Sequence, residues 1–194
     1  MSSIYSTRKQ RRHTRRFAKL KSNALVLAVQ SIVPAGASIV DLGAGFGGFV
    51  RSLVDVGYNA FGVDGSPEIE EISGGVVRRY DLTKDCSSLY GKVDWATFFE
   101  VGEHVPSADE RKLLDQVCAI PAVGIIVTWA GTADVGKTRG HVNPHDEQYV
   151  KRLFSSRGWV FNETLTRRVR LAAGNHLARL RRLLVFRRRT RIKA

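Results

Sequence analysis

A short apolar run, Ser38-Ile-Val-Asp-Leu42, passes straight into Gly43-Ala-Gly-Phe-Gly-Gly48 and then into helical spacing from Phe49 to Val56, closed by Gly57. Strand, glycine turn and helix in that order leave few folds open. The backbone must reverse sharply and come close to a neighbour or ligand without a Cβ in the way, which glycine alone allows cheaply. The spacing G-x-G-x-G differs from the dinucleotide fingerprint G-x-G-x-x-G, although Gly48 lets the segment match that pattern formally as well. Taken alone, the turn is a weak signal for any one ligand.

The segments around it repeat the alternation. Helical spacing from Phe17 to Val33 predicts a leading helix ended by Pro34. Strands are expected at Ala60–Asp64, Val76–Tyr80, Val93–Phe99, Val123–Thr128 and Leu183–Phe186, with a further strand candidate from Trp159 to Val169. Helices are expected from Ala108 to Val117 and from Asp146 to Ser156, and a long loop from Gly131 to Asn143. Such alternation predicts an α/β fold, a three-layer αβα sandwich around a mostly parallel sheet with right-handed crossovers. At 194 residues the chain fits one domain, expected over 17–194 behind a basic arm at 1–16.

Carboxylates stand at the ends of four successive strands: Asp41, Asp64, Asp81 and Glu100. In an open α/β sheet that edge forms the ligand crevice, and an acid about twenty residues past the glycines is placed to bind a ribose, which Asp64 fits. Acids lining a crevice suit a cationic ligand better than a pyrophosphate. Singly, each is as well explained as a strand end or helix cap; as a set of four they point to a ligand.

The net charge of +13 is unevenly placed. Residues 1–22 carry eight Lys and Arg and no acid, residues 165–194 carry eleven and no acid, and the stretch between them is net acidic. Two readings follow: basic ends that hold phosphate backbones, or solvated ends that keep the protein dispersed. The Arg- and Ser-rich start followed by Ala24-Leu-Val-Leu-Ala-Val29 mimics a targeting peptide, but the basic stretch is long, Gln30 and Ser31 interrupt the apolar run, and the first strand follows at once. Secretion is therefore discounted and organellar import left open. No run suffices to span a membrane. Two cysteines, Cys86 and Cys118, make neither a disulfide framework nor a cysteine zinc site, so a reducing, cytoplasmic setting is expected.

With these residues in view the sequence resembles the class I S-adenosylmethionine (SAM)-dependent methyltransferases. The matching stretches are Val40-Asp-Leu-Gly-Ala-Gly-Phe-Gly47, Phe61-Gly-Val-Asp64, Tyr80-Asp-Leu82 and Phe98-Phe-Glu-Val-Gly-Glu-His-Val-Pro106, within residues 36 to 187. It also resembles a subgroup from phage, viral and microbial sequences with Glu-Val-Gly-Glu-His, Thr-Trp-Ala and Gly-His-Val-Asn segments, here Glu100–His104, Thr128–Ala130 and Gly140–Asn143. The resemblance implies a seven-stranded Rossmann-like sheet whose last strand is antiparallel. It places Gly43, Ala44, Gly45 and Gly47 around the methionine moiety and Asp41 near its amino group. Asp64 and Gly65 would meet the ribose, Asp81 and Leu82 the adenine, and Glu100 and Val101 the cofactor floor.

Methyl transfer from a sulfonium requires the protein to align the acceptor and, where needed, to remove its proton. His104 and His141 are the candidate bases, because imidazole titrates near neutral pH, with Glu103 beside them and His145 a substitute. Trp129 is a candidate pocket wall and equally a core residue. Glu100, Glu103 and His104 form E-x-x-E-H, which with His141 resembles the Mg²⁺ or Mn²⁺ site of small-RNA 3′-terminal 2′-O-methyltransferases. The alternative is that Glu103 and His104 cap the following helix. Neither the Lys-Asp-Lys-Glu tetrad of cap 2′-O-methyltransferases nor an Asn/Asp-Pro-Pro-Tyr/Phe motif is recognisable, which disfavours those two reactions. Three expectations compete for the function: a methyltransferase acting on RNA or another phosphate-rich acceptor, one acting on a small molecule or sugar, and a non-catalytic scaffold that binds nucleic acid.

Overall fold

A computed structural model describes residues 23–134, 140–174 and 178–189. The arm at 1–16, the start of the expected leading helix at 17–22, Arg191, Lys193 and part of the 131–143 loop lie outside the described residues. Residues 23–30 are helical (α1) and deliver Leu25, Val26, Ala28 and Val29 to the core before the chain turns at Pro34. Seven strands follow: β1 Ser38–Leu42, β2 Asn59–Asp64, β3 Val77–Arg79, β4 Val93–Phe99, β5 Pro121–Thr128, β6 Trp159–Phe161 and β7 Leu184–Arg188. Their order in the sheet is β3-β2-β1-β4-β5-β7-β6. β1 to β5 pair in parallel, whereas β7 is antiparallel to both β5 and β6. The expected α/β sandwich with an antiparallel last strand is what forms.

Side chains alternate across the strands and so build two cores. Val40, Leu42, Ala96, Phe98, Ile125, Val127, Leu184 and Phe186 face one side, where helices α4 (Ser107–Ala119) and α5 (Glu147–Ser155) cover them. Ile39, Trp95, Ile126 and Val185 face the other, against α1, Leu53 of α2 (Gly48–Asp55) and Val169 and Ala173 of α6 (Glu163–Ala173). Because both faces are covered, the strands read as near-continuous apolar runs.

One expectation is corrected. The strand candidate Trp159–Val169 stops at Phe161, and residues 163–173 are helical. Thr, Val and alternating Arg over this stretch imitate a strand, but Asn162 caps a helix: its side chain accepts from the Leu165 amide at 2.9 Å. Thr166, Val169 and Ala173 then fall on one buried helical face. A short helix, α3 (Ile69–Ile72), follows the Gly65-Ser-Pro67 turn, and the first and last strand positions elsewhere move by only a few residues.

Candidate functional site: a cleft at the carboxyl edge of the sheet

The glycine turn is stitched to the end of β2. The Gly43 and Ala44 amides donate to the Val63 carbonyl at 2.8 and 3.0 Å, and the Gly45 amide donates to Asp64 Oδ2 at 2.9 Å. Gly43, with φ of 81°, lies against Val101: a Cβ there would come 2.3 Å from Val101 Cγ2. At Gly45, φ is 51° and a Cβ would meet nothing within 4 Å, so the turn leaves open space above it. Asp64 also accepts from the Ser66 amide and hydroxyl on Oδ1, at 2.9 and 2.7 Å, which leaves acceptor capacity on Oδ2.

Beside this turn opens a cleft of about 310 Å³ lined by Gly43, Asp64, Gly65, Tyr80, Asp81, Leu82, Thr83, Glu100, Val101, His104, Val105 and Leu113. The sequence-predicted residues Gly43, Asp64, Gly65, Asp81, Leu82, Glu100 and Val101 are thus brought together. Ala44, Gly45 and Gly47 lie in the turn without lining the cleft, Gly47 as the N-cap of α2. Asp41 is buried below it and accepts from the Thr97 hydroxyl at 2.7 Å. Hydrogen bonds from the Thr83 hydroxyl (2.6 Å) and amide (3.0 Å) hold the Asp81 carboxyl below the usual carboxylate range. Glu100 has φ of 58°, the single positive value at a non-glycine among the described residues. This strained conformation ends β4 at the cleft wall, tied down by its amide donating to Thr128 Oγ1 at 3.1 Å.

Next to the cleft three sequence motifs converge. The ligand atoms of Glu103, His104 and His141 lie within 4.8 Å of one another, and the two imidazole rings meet edge to face with centroids 4.9 Å apart. Glu100 lines the cleft and stands outside this trio. The trio is built by backbone bonds: the Val142 and Asn143 amides donate to the Glu103 carbonyl at 2.8 and 2.9 Å. His104 Nδ1 lies 2.9 Å from the Gly140 carbonyl oxygen. A carbonyl only accepts, so Nδ1 carries the proton and the basic nitrogen of neutral His104 is Nε2. Gly102 in the Glu-Val-Gly-Glu-His segment is explained by Trp129: a Cβ at Gly102 would lie 2.2 Å from the indole ring. Trp129 is buried and donates from Nε1 to the Asn143 carbonyl at 2.8 Å, which makes it the floor of this arrangement.

Sequence reasoning missed the residue that holds the loop. Glu110 of α4 is buried, and its carboxylate receives Asn143 Nδ2 at 2.8 Å and Tyr149 OH at 2.9 Å and lies 2.9 Å from His145 Nε2. The Glu110 bond pushes the Tyr149 phenol above its ordinary range. His145 thus has one ring nitrogen at Glu110 and its ring stacked on Tyr149 with centroids 3.7 Å apart. A signal existed: Glu110 occupies the first position of an i, i+3, i+4, i+7 stripe completed by Leu113, Leu114 and Val117. A carboxylate on such a face needs partners.

A seven-stranded sheet in this order, with glycine turn and acids at the carboxyl edge, defines a methyltransferase-type fold. Residues 8–181 match a family model described as a methyltransferase domain. The chain belongs to that methyltransferase family, as its resemblance to the class I enzymes implied. No curated protein matches it. Among solved structures it is similar to magnesium protoporphyrin IX methyltransferase from Synechocystis PCC 6803 with bound SAH (16% identity, TM-score 0.67, covering 96% of this chain and 90% of that one). A TehB-like SAM-dependent methyltransferase from Corynebacterium glutamicum gives 12% identity and a TM-score of 0.66 over 93% of this chain and 97% of that one. At these identities the likeness is one of fold. No helix among the described residues is long and apolar enough to cross a membrane.

Proposed function

We propose that the chain transfers a methyl group from SAM, bound in the cleft at the carboxyl edge, to a hydroxyl of a phosphate-rich acceptor, RNA before others. The observation that carries this reading is the continuity of two sites: His104 lines the cleft and belongs to the Glu103–His104–His141 trio. The cleft fits the cofactor, since the space above Gly45 is open and Asp64 keeps acceptor capacity for a ribose hydroxyl. Asp81 and Leu82 would hold the adenine, Glu100 and Val101 the floor, and Gly43, Ala44, Gly45 and Gly47, with Asp41 beneath, the methionine end. SAM supplies an electrophilic methyl on a sulfonium with a good leaving group.

The chain's own residues then orient the acceptor and accept its proton. His104, fixed by Gly140 with Nε2 as its basic nitrogen, is the base; His141 stands beside it and Glu103 behind. The same trio would alternatively hold a divalent cation, for which two imidazoles and a carboxylate favour Mn²⁺ over Mg²⁺. His104 Nε2 serves one role or the other. The arginine-rich end, acid-free after Glu163, supports a polyanionic acceptor over a neutral small molecule or sugar. Two buried free thiols, Cys86 and Cys118, suit a reducing cytoplasm.

Calorimetric titration with S-adenosylhomocysteine on the wild type and on Asp64→Ala tests the cofactor reading. Micromolar binding weakened at least tenfold by the substitution is expected. Absence of binding to the wild type would sink it and leave a scaffold that kept only the fold. A parallel Mn²⁺ titration separates ligand from base: a binding isotherm lost in His141→Ala assigns the trio to a metal, and none assigns it to proton transfer.

A further inference from the structure

Arg51 stands where a cation is least expected. It closes the first turn of α2, the helix that opens from the glycine turn, and the positive end of the helix dipole disfavours a guanidinium there. Its side chain folds back on the backbone: Nη1 donates to the Phe46 carbonyl at 2.8 Å, and Nη2 donates to the Ser73 carbonyl. The first of these carbonyls belongs to the glycine turn. The Gly47 amide donates to the Ala44 carbonyl at 3.1 Å, so both polar groups of the Phe46–Gly47 peptide are held, and it cannot rotate without breaking a bond. The second carbonyl is a fixed point. Ser73 is buried just after α3, and its hydroxyl accepts from the Val77 amide at 3.1 Å, at the start of β3. The glycine turn also presses on that strand: a Cβ on Gly47 would lie 2.8 Å from Val77 Cγ2. One planar fork therefore ties two segments together, which a lysine ammonium does poorly.

We infer that Arg51 is a positioning residue for the cleft, resting on the reading of that cleft as the SAM site: it clamps the glycine turn to the α3–β3 connection and so keeps the Gly45 amide on Asp64. Gly45 directly precedes Phe46, and its amide donates to Asp64 Oδ2 at 2.9 Å, on the carboxylate proposed to meet the ribose. A swing of the Phe46–Gly47 peptide drags Gly45 with it and takes the amide off that carboxylate. Arg188 supplies the contrast within the molecule. Its guanidinium also donates to two main-chain carbonyls, those of Cys118 and Pro121, at 2.8 and 2.7 Å. Those carbonyls stand at the start of β5, the edge of the sheet opposite the cleft. Both arginines fasten backbone to backbone, and Arg51 does so at the turn.

Calorimetric titration of the full chain with S-adenosylhomocysteine, paired with urea unfolding of the same proteins, reads the clamp. Arg51→Met keeps the stem and loses both donors, and is expected to weaken binding roughly tenfold. Arg51→Lys, whose ammonium reaches one carbonyl at a time, should weaken it roughly threefold. Arg188→Met is the control: it should lower the urea midpoint and leave the affinity at the wild-type value. The path through Asp64 is read by a double-mutant cycle. In an Asp64→Ala background Arg51→Met should cost less than about threefold and Arg51→Lys nothing measurable, because the Gly45 amide has no carboxylate left to meet. Wild-type affinity in both Arg51 variants overturns the inference, as do equal losses in Arg51→Met and Arg188→Met, which reduce Arg51 to a support of the fold. Undiminished losses in the Asp64→Ala background overturn it too, since Arg51 then acts on the ligand by another route. If Arg51→Met does not fold, Arg51→Lys decides by the same comparisons. Failure of the cofactor reading looks different: the wild type itself binds no S-adenosylhomocysteine, and the clamp falls with it.

Discussion

The cleft and the histidine trio adjoin through His104 but are held in different ways. On the cleft side the glycine turn, Asp64 and Asp81 sit where strands end, and each acid also has a partner near in sequence: Ser66 and Thr83 lie two residues from the acids they bond. On the histidine side the bonds span the chain. His104 meets Gly140 across 36 residues, and Glu110 reaches Asn143, His145 and Tyr149 across 33, 35 and 39. Such local turns hold each acid in place without the loop. A site made by a buried carboxylate gathering a loop depends on every member of the network.

The sharpest way to break the cleft side alone is Gly43→Ala. A Cβ 2.3 Å from Val101 at a φ of 81° is expected to weaken S-adenosylhomocysteine binding roughly 100-fold, about 3 kcal/mol, with unchanged far-ultraviolet circular dichroism. Affinity within a few-fold of wild type would mean that the turn does not touch the cofactor.

The converse break is Glu110→Ala, which strands Asn143, His145 and Tyr149 and should cost about 2–4 kcal/mol in urea unfolding, with Glu110→Gln milder. Methyl transfer and any Mn²⁺ isotherm should fall while S-adenosylhomocysteine affinity holds. If cofactor affinity drops in step, the two sides are one unit and the contrast fails.

A smaller effect sharpens the link between motifs. Gly102→Ala forces the Trp129 ring aside and is expected to cost about 1–3 kcal/mol, while a Gly102→Ala, Trp129→Phe pair should cost less than the sum of the singles. Strict additivity would show that the two residues do not compete for the same space.

The smallest effect is on pH. The folded Asp81 carboxyl is held below the ordinary value of about 4, so its contribution is complete above that value and is lost as pH falls through the folded one. Thr83→Val removes the hydroxyl donor, lets the folded value rise, and should shift the acid limb of stability to higher pH. Superimposable stability curves from about pH 2.5 to 6 would rule out this coupling.

Much of this contrast was legible in the residues, and unevenly so. The apolar runs of β1, β4 and β5, the glycine turn and the strand-end acids are set by rules that act over a few residues, namely side-chain alternation, a turn that needs positive φ, and strand termini that need solvation. Asn162 was an equally local signal, and the arginine-rich alternation after it hid a helix that only its cap and its packing on Val185 make plain.

By itself, then, the sequence determined an α/β sheet with an acidic crevice and arginine-rich ends, because hydrophobic period, glycine and charge are properties of the chain. Only the tertiary structure decided that Glu103, His104 and His141 meet, that His145 pairs with Glu110, and that Trp129 lies under Gly102. The reason is physical. Those contacts join residues tens of positions apart, and they form only once β4, β5 and β7 have paired and α4 has packed against them. No pattern along the chain encodes which way the loop then closes.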